Sequence, residues 1–395
     1  MLVVQGALVF GAATPVAAQS GEAGFQRWVQ GYARRAVAAG LPRTTVQQGL
    51  RSARYLPDVI RLDRTQSEFT KPIWTYLDTA VSDTRIKNGR AMLRKHDRIL
   101  RRIQARYGVD RHVVVAIWGL ESAYGSYTGT TDTVSALATL AYDGRRGAFF
   151  ERQLTALLRM SARGQVRLPV QGSWAGAMGH TQFIPTSYQA FAVDGDGDGD
   201  QDIWSSDPTD ALASAAAYLR KNGWTTGRPW GIEVRLPKGF DLRLARRAEQ
   251  RLPSQWARLG VTGAGGGRIP DHGRASILLP AGARGAAFMV FDNFAVIERY
   301  NTADSYVIAV GHLSDRLRGM GPFQAEWPRS DRPLTFAERK ELQRRLLAAG
   351  LYKGKVDGRI GPLTTQAVRA AQSARGLLPD GYASLAILQR LRRIP

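Results

Sequence analysis

The chain has 395 residues, 44% hydrophobic and 22% charged, which is the balance of a globular protein with a sizeable core and a length for two or three domains. Lys and Arg total 55 against 33 Asp and Glu, a net charge of +22; such a field favours an anionic partner, whether nucleic acid, a membrane surface or the acidic bacterial wall, without choosing among them. There is no cysteine, which excludes disulfides, thiolate metal sites and a thiol nucleophile.

The first elements set the compartment. Leu2 to Val16 is apolar and small, and Pro15-Val16-Ala17-Ala18-Gln19 has the form of a signal-peptidase site after Ala18, although no Lys or Arg precedes Arg27. Residues 1–18 are therefore expected to be a signal peptide, and the protein to be periplasmic or secreted. The lack of cysteine argues against a lipid anchor on an N-terminal cysteine, and no later segment has the apolar length of a transmembrane helix, so no stable membrane insertion is expected.

From Gly24 to Gly227 the texture is helical. Met92, Ile99, Leu100 and Ile103 recur at helical spacing, with His96 on the same face. Arg90, Arg94, Arg98 and Arg102 follow an i,i+4 stripe that reads as a solvated face. The stretch Val113-Val114-Val115-Ala116-Ile117-Trp118-Gly119-Leu120-Glu121-Ser122-Ala123-Tyr124-Gly125 is an apolar helix closed by one carboxylate. Glu121 lies one turn from Ile117, and a Glu among such neighbours loses solvation and favours its protonated form. A protonated carboxyl is what cleavage of a glycosidic bond needs at the leaving oxygen. The alternative is a Glu that caps the helix or pairs with an Arg.

Three further segments carry polar and aromatic groups. Gly172-Ser173-Trp174-Ala175-Gly176-Ala177-Met178-Gly179-His180-Thr181-Gln182-Phe183-Ile184-Pro185-Thr186-Ser187-Tyr188 combines small residues, which let backbone approach a ligand, with Ser173 and Gln182 as polar contacts. Tyr218 lies in Ala215-Ala216-Ala217-Tyr218-Leu219, and Tyr300-Asn301-Thr302-Ala303-Asp304-Ser305-Tyr306 flanks an amide with tyrosines. Between them, Asp194-Gly195-Asp196-Gly197-Asp198-Gly199-Asp200-Gln201-Asp202 matches the start of an EF-hand loop, with acids at positions 1, 3 and 5, Gly199 at the sharp turn and Asp202 at position 9. Position 12 is Ser205, so Asp210 or Asp207 is expected to supply the missing acid. The expected metal ligands are Asp194, Asp196, Asp198, Asp200, Asp202 and Asp210, holding a structural Ca²⁺. No organic cofactor is expected.

From Trp230 to about Ile297, alternating and β-branched segments separated by Gly- and Pro-rich turns read as a small β subdomain, and helix resumes over 305–318. Residues 321–333, with three prolines and several charges, read as a linker. Leu334 to Arg393 carries three helical patterns with two Asp-Gly turns, Asp357-Gly358 and Asp380-Gly381, and reads as an independent module.

Taken together, the Glu-Ser-x-x-Gly element, the Gly-Ala-Met-Gly-x-x-Gln-Phe-x-Pro-x-Ser-Tyr run and the Tyr-Asn-x-x-x-Ser-Tyr run resemble the membrane-bound lytic transglycosylase B family over Phe25–Trp327. The resemblance implies a mainly α (α+β) protein: a lysozyme-like helical catalytic core over 19–320, a small β subdomain over about 230–297, and a calcium loop at the acidic run. It implies cleavage of the N-acetylmuramic acid to N-acetylglucosamine β-1,4 bond of peptidoglycan to give 1,6-anhydromuramoyl ends, with Glu121 matching the single acid/base. Ser173, Gln182, Tyr218, Tyr300, Asn301 and Tyr306 match glycan-contacting positions. The 334–395 segment, in Leu351–Val368 and Gly376–Gly381, resembles the peptidoglycan-binding-1 domain, implying a wall-binding module. The expected partners are peptidoglycan strands and other cell-wall enzymes. A lysozyme-type hydrolase, which needs a second carboxylate such as Asp132 or Asp143, and a non-catalytic wall-binding protein are the competing readings. A nucleic-acid partner is not expected, since no fold motif for one is present and export argues against it.

Overall fold

The computed structural model describes residues 21–64 and 71–393; the expected signal peptide over 1–18 lies outside the described residues. The described residues begin with the helices α1 (Glu22–Ala38), α2 (Arg43–Leu50), α3 (Pro57–Asp63), α4 (Ile73–Ala80), α5 (Asp83–Lys95), α6 (Asp97–Tyr107) and α7 (Arg111–Ser122). Strand β1 (Thr131–Asp132) pairs antiparallel with β2 (Gln171–Gly172), with α8 (Thr133–Asp143) and α9 (Gly147–Ala162) between them. Then come α10 (Pro185–Phe191) and α11 (Thr209–Lys221).

Short polar side chains start several of these helices by accepting from orphan backbone N–H groups. Ser82 accepts from Arg85 N (3.4 Å), Asp110 from His112 N (2.8 Å) and Asp132 from Ser135 N (2.8 Å). Helix α7 is apolar through its middle, and Val113 to Gly119 are all buried. Its neighbours α5, α6 and α11 pack against it. Burying a side chain the size of Val or Ile is worth about 1.5–3 kcal/mol each, so packing rather than propensity fixes where this helix ends.

The β texture after Trp230 forms a four-stranded antiparallel sheet in the order β4-β3-β6-β5, from β3 (Gly231–Arg235), β4 (Thr262–Gly263), β5 (Ser276–Leu278) and β6 (Ala287–Val290). Gly231 faces Val290 and Val234 faces Ala287 across β3 and β6. The sheet and α12 (Pro253–Arg258) enclose a core of their own around Trp256, Ile277 and Met289, with the Trp256 indole donating to Ala275 O (2.8 Å). The chain returns to the main core through α13 (Asp292–Glu298) and α14 (Asp304–Arg318); α14 packs directly on α7 and also touches α4 and α5.

Residues 321–333 lie along the main helical body. Phe323 stacks on His312 (centroids 3.7 Å apart), Trp327 lies 6.5 Å from Trp74, and Gln324 N and Ala325 N donate to the Glu233 carboxylate (2.8 and 2.7 Å). Residues 334–393 form α15 (Phe336–Ala348), α16 (Pro362–Ser373) and α17 (Leu385–Arg392) around a separate core of Leu342, Leu346, Val368 and Leu388. The two Asp-Gly turns are built alike. Buried Gln343 accepts from Gly358 N (2.7 Å) and donates to Asp357 (3.0 Å), and Gln372 accepts from Gly381 N (2.8 Å) and donates to Asp380 (2.7 Å). Among the described residues, no helix is long and apolar enough to cross a membrane.

Candidate active site

Glu121 is the penultimate residue of α7, whose last turn hands over to Ala123, Tyr124 and Gly125, all at positive φ (49°, 63° and 82°). This left-handed run stops the helix and turns the chain sharply, leaving Glu121 partly exposed at the end of an otherwise buried element. Ser122 secures the turn from inside: its hydroxyl donates to His180 O (2.6 Å) and accepts from Gly125 N (2.9 Å).

The carboxylate meets the tyrosines of the third segment. Tyr306, in the first turn of α14, donates its phenol to Glu121 Oε1 across 2.5 Å. Burial, then the charge of Glu121, push the Tyr306 phenol well above its usual range, and the same two causes act on Tyr300. Both rings therefore remain proton donors at any working pH. Tyr300 packs edge-on to Tyr218 (4.9 Å between centroids), and Phe183 lies 6.0 and 6.1 Å from the two rings. Their hydroxyls are anchored: Tyr300 donates to Thr181 O and Tyr218 to Arg299 O, both at 2.6 Å.

The remaining expected residues hold loops. Gln182, at φ 52°, donates its amide to Thr128 O (3.0 Å) and Gly179 O (2.8 Å), which ties the loop after Glu121 to the Gly-rich run. Ser173 accepts from Ala175 N and Ala177 N, closing a tight turn next to β2. Asn301 accepts from Ala303 N (3.1 Å) just before α14. Structure thus gathers Glu121, Tyr306, Tyr300 and Tyr218 into one cluster, with Gln182 bracing its rim, while the hydroxyl of Ser173 and the carbonyl oxygen of Asn301 serve their own turns.

Two acids near Glu121 in sequence are committed elsewhere. Asp132 caps α8 through Oδ2, which accepts from Ser135 N and its hydroxyl (2.8 and 2.5 Å), and Asp143 pairs with Arg64 (2.9 Å). Sequence reasoning missed one contributor, His180, which braces the Glu121 turn. His180 stands at an unspecified position of the Gly-Ala-Met-Gly-x-x-Gln motif, where nothing in the sequence marks it.

The acidic run folds as a loop around converging oxygens. Carboxylate oxygens of Asp194, Asp196 and Asp198 lie within 4.8 Å of one another, and so do those of Asp198, Asp200 and Asp210. Asp194 accepts from Gly197 N and Gly199 N (2.5 and 3.0 Å); Gly199 takes φ +99°, open to glycine at no steric cost. Asp210, buried on α11, reaches back to accept from Gly195 N (2.7 Å). Burial first, then the charges of Asp196 and Asp194, push its carboxyl up. Asp202 points the other way, capping Trp204 N and Ser205 N (2.7 and 3.1 Å). An all-oxygen donor set of this kind suits a hard divalent cation.

A helical catalytic body of lysozyme-like type, with one carboxylate at a helix end facing a tyrosine cluster, is the class that fold and site define. The family model of the transglycosylase SLT domain matches residues 24–315, and that of the peptidoglycan binding domain matches residues 337–391. The chain belongs to the transglycosylase SLT family, a family of lytic transglycosylases, and carries a C-terminal peptidoglycan-binding domain. It is 33% identical over 291 residues to the membrane-bound lytic murein transglycosylase B of Escherichia coli, covering 69% of this chain and 78% of that protein. It is also similar to SltB3 of Pseudomonas aeruginosa, solved with NAG-anhNAM-pentapeptide and with NAG-NAM-pentapeptide: 47% identity, TM-score 0.88, covering 93% of this chain and 99% of that one. The Escherichia coli lytic transglycosylase Slt35, solved in complex with calcium, matches at 30% identity and TM-score 0.63, over 75% of this chain and 93% of that one.

Proposed function

We propose that this protein cleaves the N-acetylmuramic acid to N-acetylglucosamine β-1,4 bond of peptidoglycan without water, with Glu121 as its one acid/base. The observation that carries the reading is the Tyr306–Glu121 hydrogen bond at the end of a buried helix, in a chain whose two candidate second acids, Asp132 and Asp143, are engaged in a cap and an ion pair.

Protonated Glu121 gives its proton to the glycosidic oxygen as the bond from that oxygen to the muramic anomeric carbon breaks. The neighbouring N-acetyl group of the muramic residue supports the electron-poor carbon. Glu121, now a carboxylate, is stabilised by the Tyr306 donor and then takes the proton of the muramic O6 hydroxyl, whose oxygen closes on the anomeric carbon. The proton returns to Glu121, the products are a free N-acetylglucosamine hydroxyl and a 1,6-anhydromuramoyl end, and no second carboxylate is needed. Tyr300, Tyr218, Gln182, Ser173 and Asn301 hold the sugars and the loops around them in the reacting pose.

Asp194, Asp196, Asp198, Asp200 and Asp210 would hold Ca²⁺, which would neutralise a cluster of carboxylates that otherwise repel one another; Asp202 organises the exit of the loop. The Slt35 likeness, solved with calcium, supports this placement. The peptidoglycan substrate and the signal-like start support a periplasmic or secreted enzyme, anchored to the wall by residues 334–395 and working beside other wall enzymes.

Mass spectrometry of digested sacculi tests the reaction. Anhydro ends, one water lighter than reducing ends, are expected; reducing ends throughout would make the protein a hydrolase.

A further inference from the structure

His180 is 8% exposed and takes no part in the steps above. It is hydrogen-bonded on four sides. Its backbone N–H donates to Ile203 O (3.0 Å), its carbonyl accepts from the Ser122 hydroxyl (2.6 Å), ring Nδ1 meets Trp118 Nε1 (3.1 Å) and ring Nε2 meets Ser205 O (2.7 Å). An indole nitrogen can only donate and a carbonyl oxygen can only accept. The ring roles are therefore fixed: Nδ1 accepts, Nε2–H donates, and the imidazole is neutral with its proton on Nε2.

These partners belong to two places. Ile203 and Ser205 leave the acidic loop immediately after Asp202, whose carboxylate caps Trp204 N and Ser205 N. Trp118 and Ser122 are one turn apart on α7 and bracket Glu121. The fit leaves no slack, since a Cβ on Gly125, the residue that Ser122 pins, would lie 2.3 Å from the His180 ring. A shift of the Asp202–Ser205 segment is thus carried through one rigid ring and its backbone to the turn that aims Glu121.

We propose that His180 is a positioning residue that couples cation occupancy of the Asp194–Asp210 loop to the orientation of Glu121. The coupling rests on the assignments of Glu121 and the loop made above. His180 touches neither the reacting atoms nor the cation. It acts by transmitting the loop's conformation to the Trp118–Ser122 turn, so that loading the loop raises kcat while leaving glycan binding alone.

The test uses the full chain, calcium as the probe, and the Trp118 indole N–H resonance as a reporter independent of turnover. In the wild type, calcium added to EDTA-treated protein should shift that resonance, assigned by its loss in Trp118→Phe, and the His180 nitrogens should report the Nε2–H tautomer. Glu121→Gln should give the same shift. In His180→Phe, calorimetry should still detect calcium binding, but the Trp118 resonance should ignore it. On a soluble tetrasaccharide, kcat should fall about tenfold or more with KM within about twofold, the pattern of lost transition-state alignment, and calcium should no longer raise it. His180→Gln, which retains one donor and one acceptor, should recover part of kcat. A His180→Phe protein whose Trp118 resonance and kcat respond to calcium as in the wild type overturns the proposal, as does a wild-type Trp118 resonance indifferent to calcium. Should His180→Phe not fold, the wild type decides alone by whether the His180 and Trp118 resonances move together on calcium addition. Wild-type turnover by Glu121→Gln would overturn the acid assignment instead, and the Trp118 reporter would still settle the coupling.

Discussion

Tyr306 and Glu121 stand 185 residues apart in sequence and 2.5 Å apart in the fold. The contact joins the end of α7 to the start of α14, two helices that pack along each other through the core. Its direction is fixed, because burial and the Glu121 charge keep the phenol protonated. The tyrosine is therefore a standing donor to whatever charge the carboxylate carries between its two proton transfers.

Glu121→Gln should abolish wall cleavage and leave the fold intact, because the amide fills the same space but cannot give and retake a proton. Acid/base catalysis alone supplies about 10²–10⁴-fold, and here one group has both tasks. Tyr306→Phe should be milder. A hydrogen bond to a charged group is worth about 1.5–3 kcal/mol, so kcat should fall by about 10–100-fold. Turnover of soluble glycans checks both, and a Gln variant with a tenth of wild-type activity would sink the assignment.

Calcium removal should lower the melting temperature, and calcium should restore it. A ligand that binds only the folded state stabilises by about 2.7 kcal/mol at a free concentration of 100 times its Kd. Asp196→Ala with Asp198→Ala removes two of the converging carboxylates and should make the melts in EDTA and in calcium superimpose. Superimposed melts in the unmutated protein would remove the cation from the loop.

The contrast between these two sites shows what a sequence exposes. The acidic loop is local, with its acids two residues apart, so their convergence is legible in the spacing; Asp210 joins them from the first turn of the next helix. Helix α7 was equally legible, since its apolar run and closing carboxylate need no partner to be recognised. The Tyr306–Glu121 contact was not, because nothing local records which of 13 tyrosines the topology returns to the end of α7. Ser173 and Asn301 carry a signal of another kind: each makes hydrogen bonds that a tight turn requires of such residues anywhere, so residue type alone does not mark a glycan contact. His180 was hidden for a further reason, since its role depends on carbonyl oxygens, which carry no sequence signal.

Acid stability should reflect two opposed groups on one helix. Burial, then Arg316, pushes His312 down to about 4, and burial pushes Asp315 up to about 6 against the Trp230 donor that lowers it. For His312 the unfolded chain takes up a proton near 6.5 and the folded one does not until about 4, so stability is lost as pH falls through that window. For Asp315 the folded chain takes up its proton near 6 and the unfolded one near 3.8, so stability is gained as pH falls between those values. At about 1.4 kcal/mol per unit, the two contributions are each of the order of 3 kcal/mol and largely offset. His312→Phe, which keeps the stack on Phe323, should therefore make the protein more stable at pH 4.5 relative to pH 7 than the wild type. Asp315→Asn, which keeps an acceptor for Trp230, should do the reverse. Urea melts at pH 7, 5.5 and 4.5 measure the tilt, and two variants tilting the same way would refute the pairing.

Removing residues 334–395 should weaken binding to sacculi while sparing cleavage of short soluble glycans. Every residue placed in the reaction precedes the segment that carries Phe323 and Trp327, and that segment packs on the catalytic body, so the cut must fall after it to keep His312 and Trp74 covered. The module is not wholly detached: Asp380 accepts from Ala283 N (3.1 Å), and Tyr382 packs against the main core. The truncated enzyme should therefore melt a few degrees lower yet keep its site complete. What it loses is local concentration, since a tethered binding unit holds the enzyme near an insoluble polymer and multiplies encounters with cleavable bonds. The net charge of +22 adds a second attraction to the acidic wall, screened over about 8 Å at physiological salt. Pull-downs onto purified sacculi at low and high salt separate the two, because the module's contribution should survive salt and the charge contribution should not. Equal sedimentation of full and truncated chains at both salts would mean that the module is not the anchor. Loss of tetrasaccharide turnover on truncation, with the fold retained, would place part of the active site beyond residue 333.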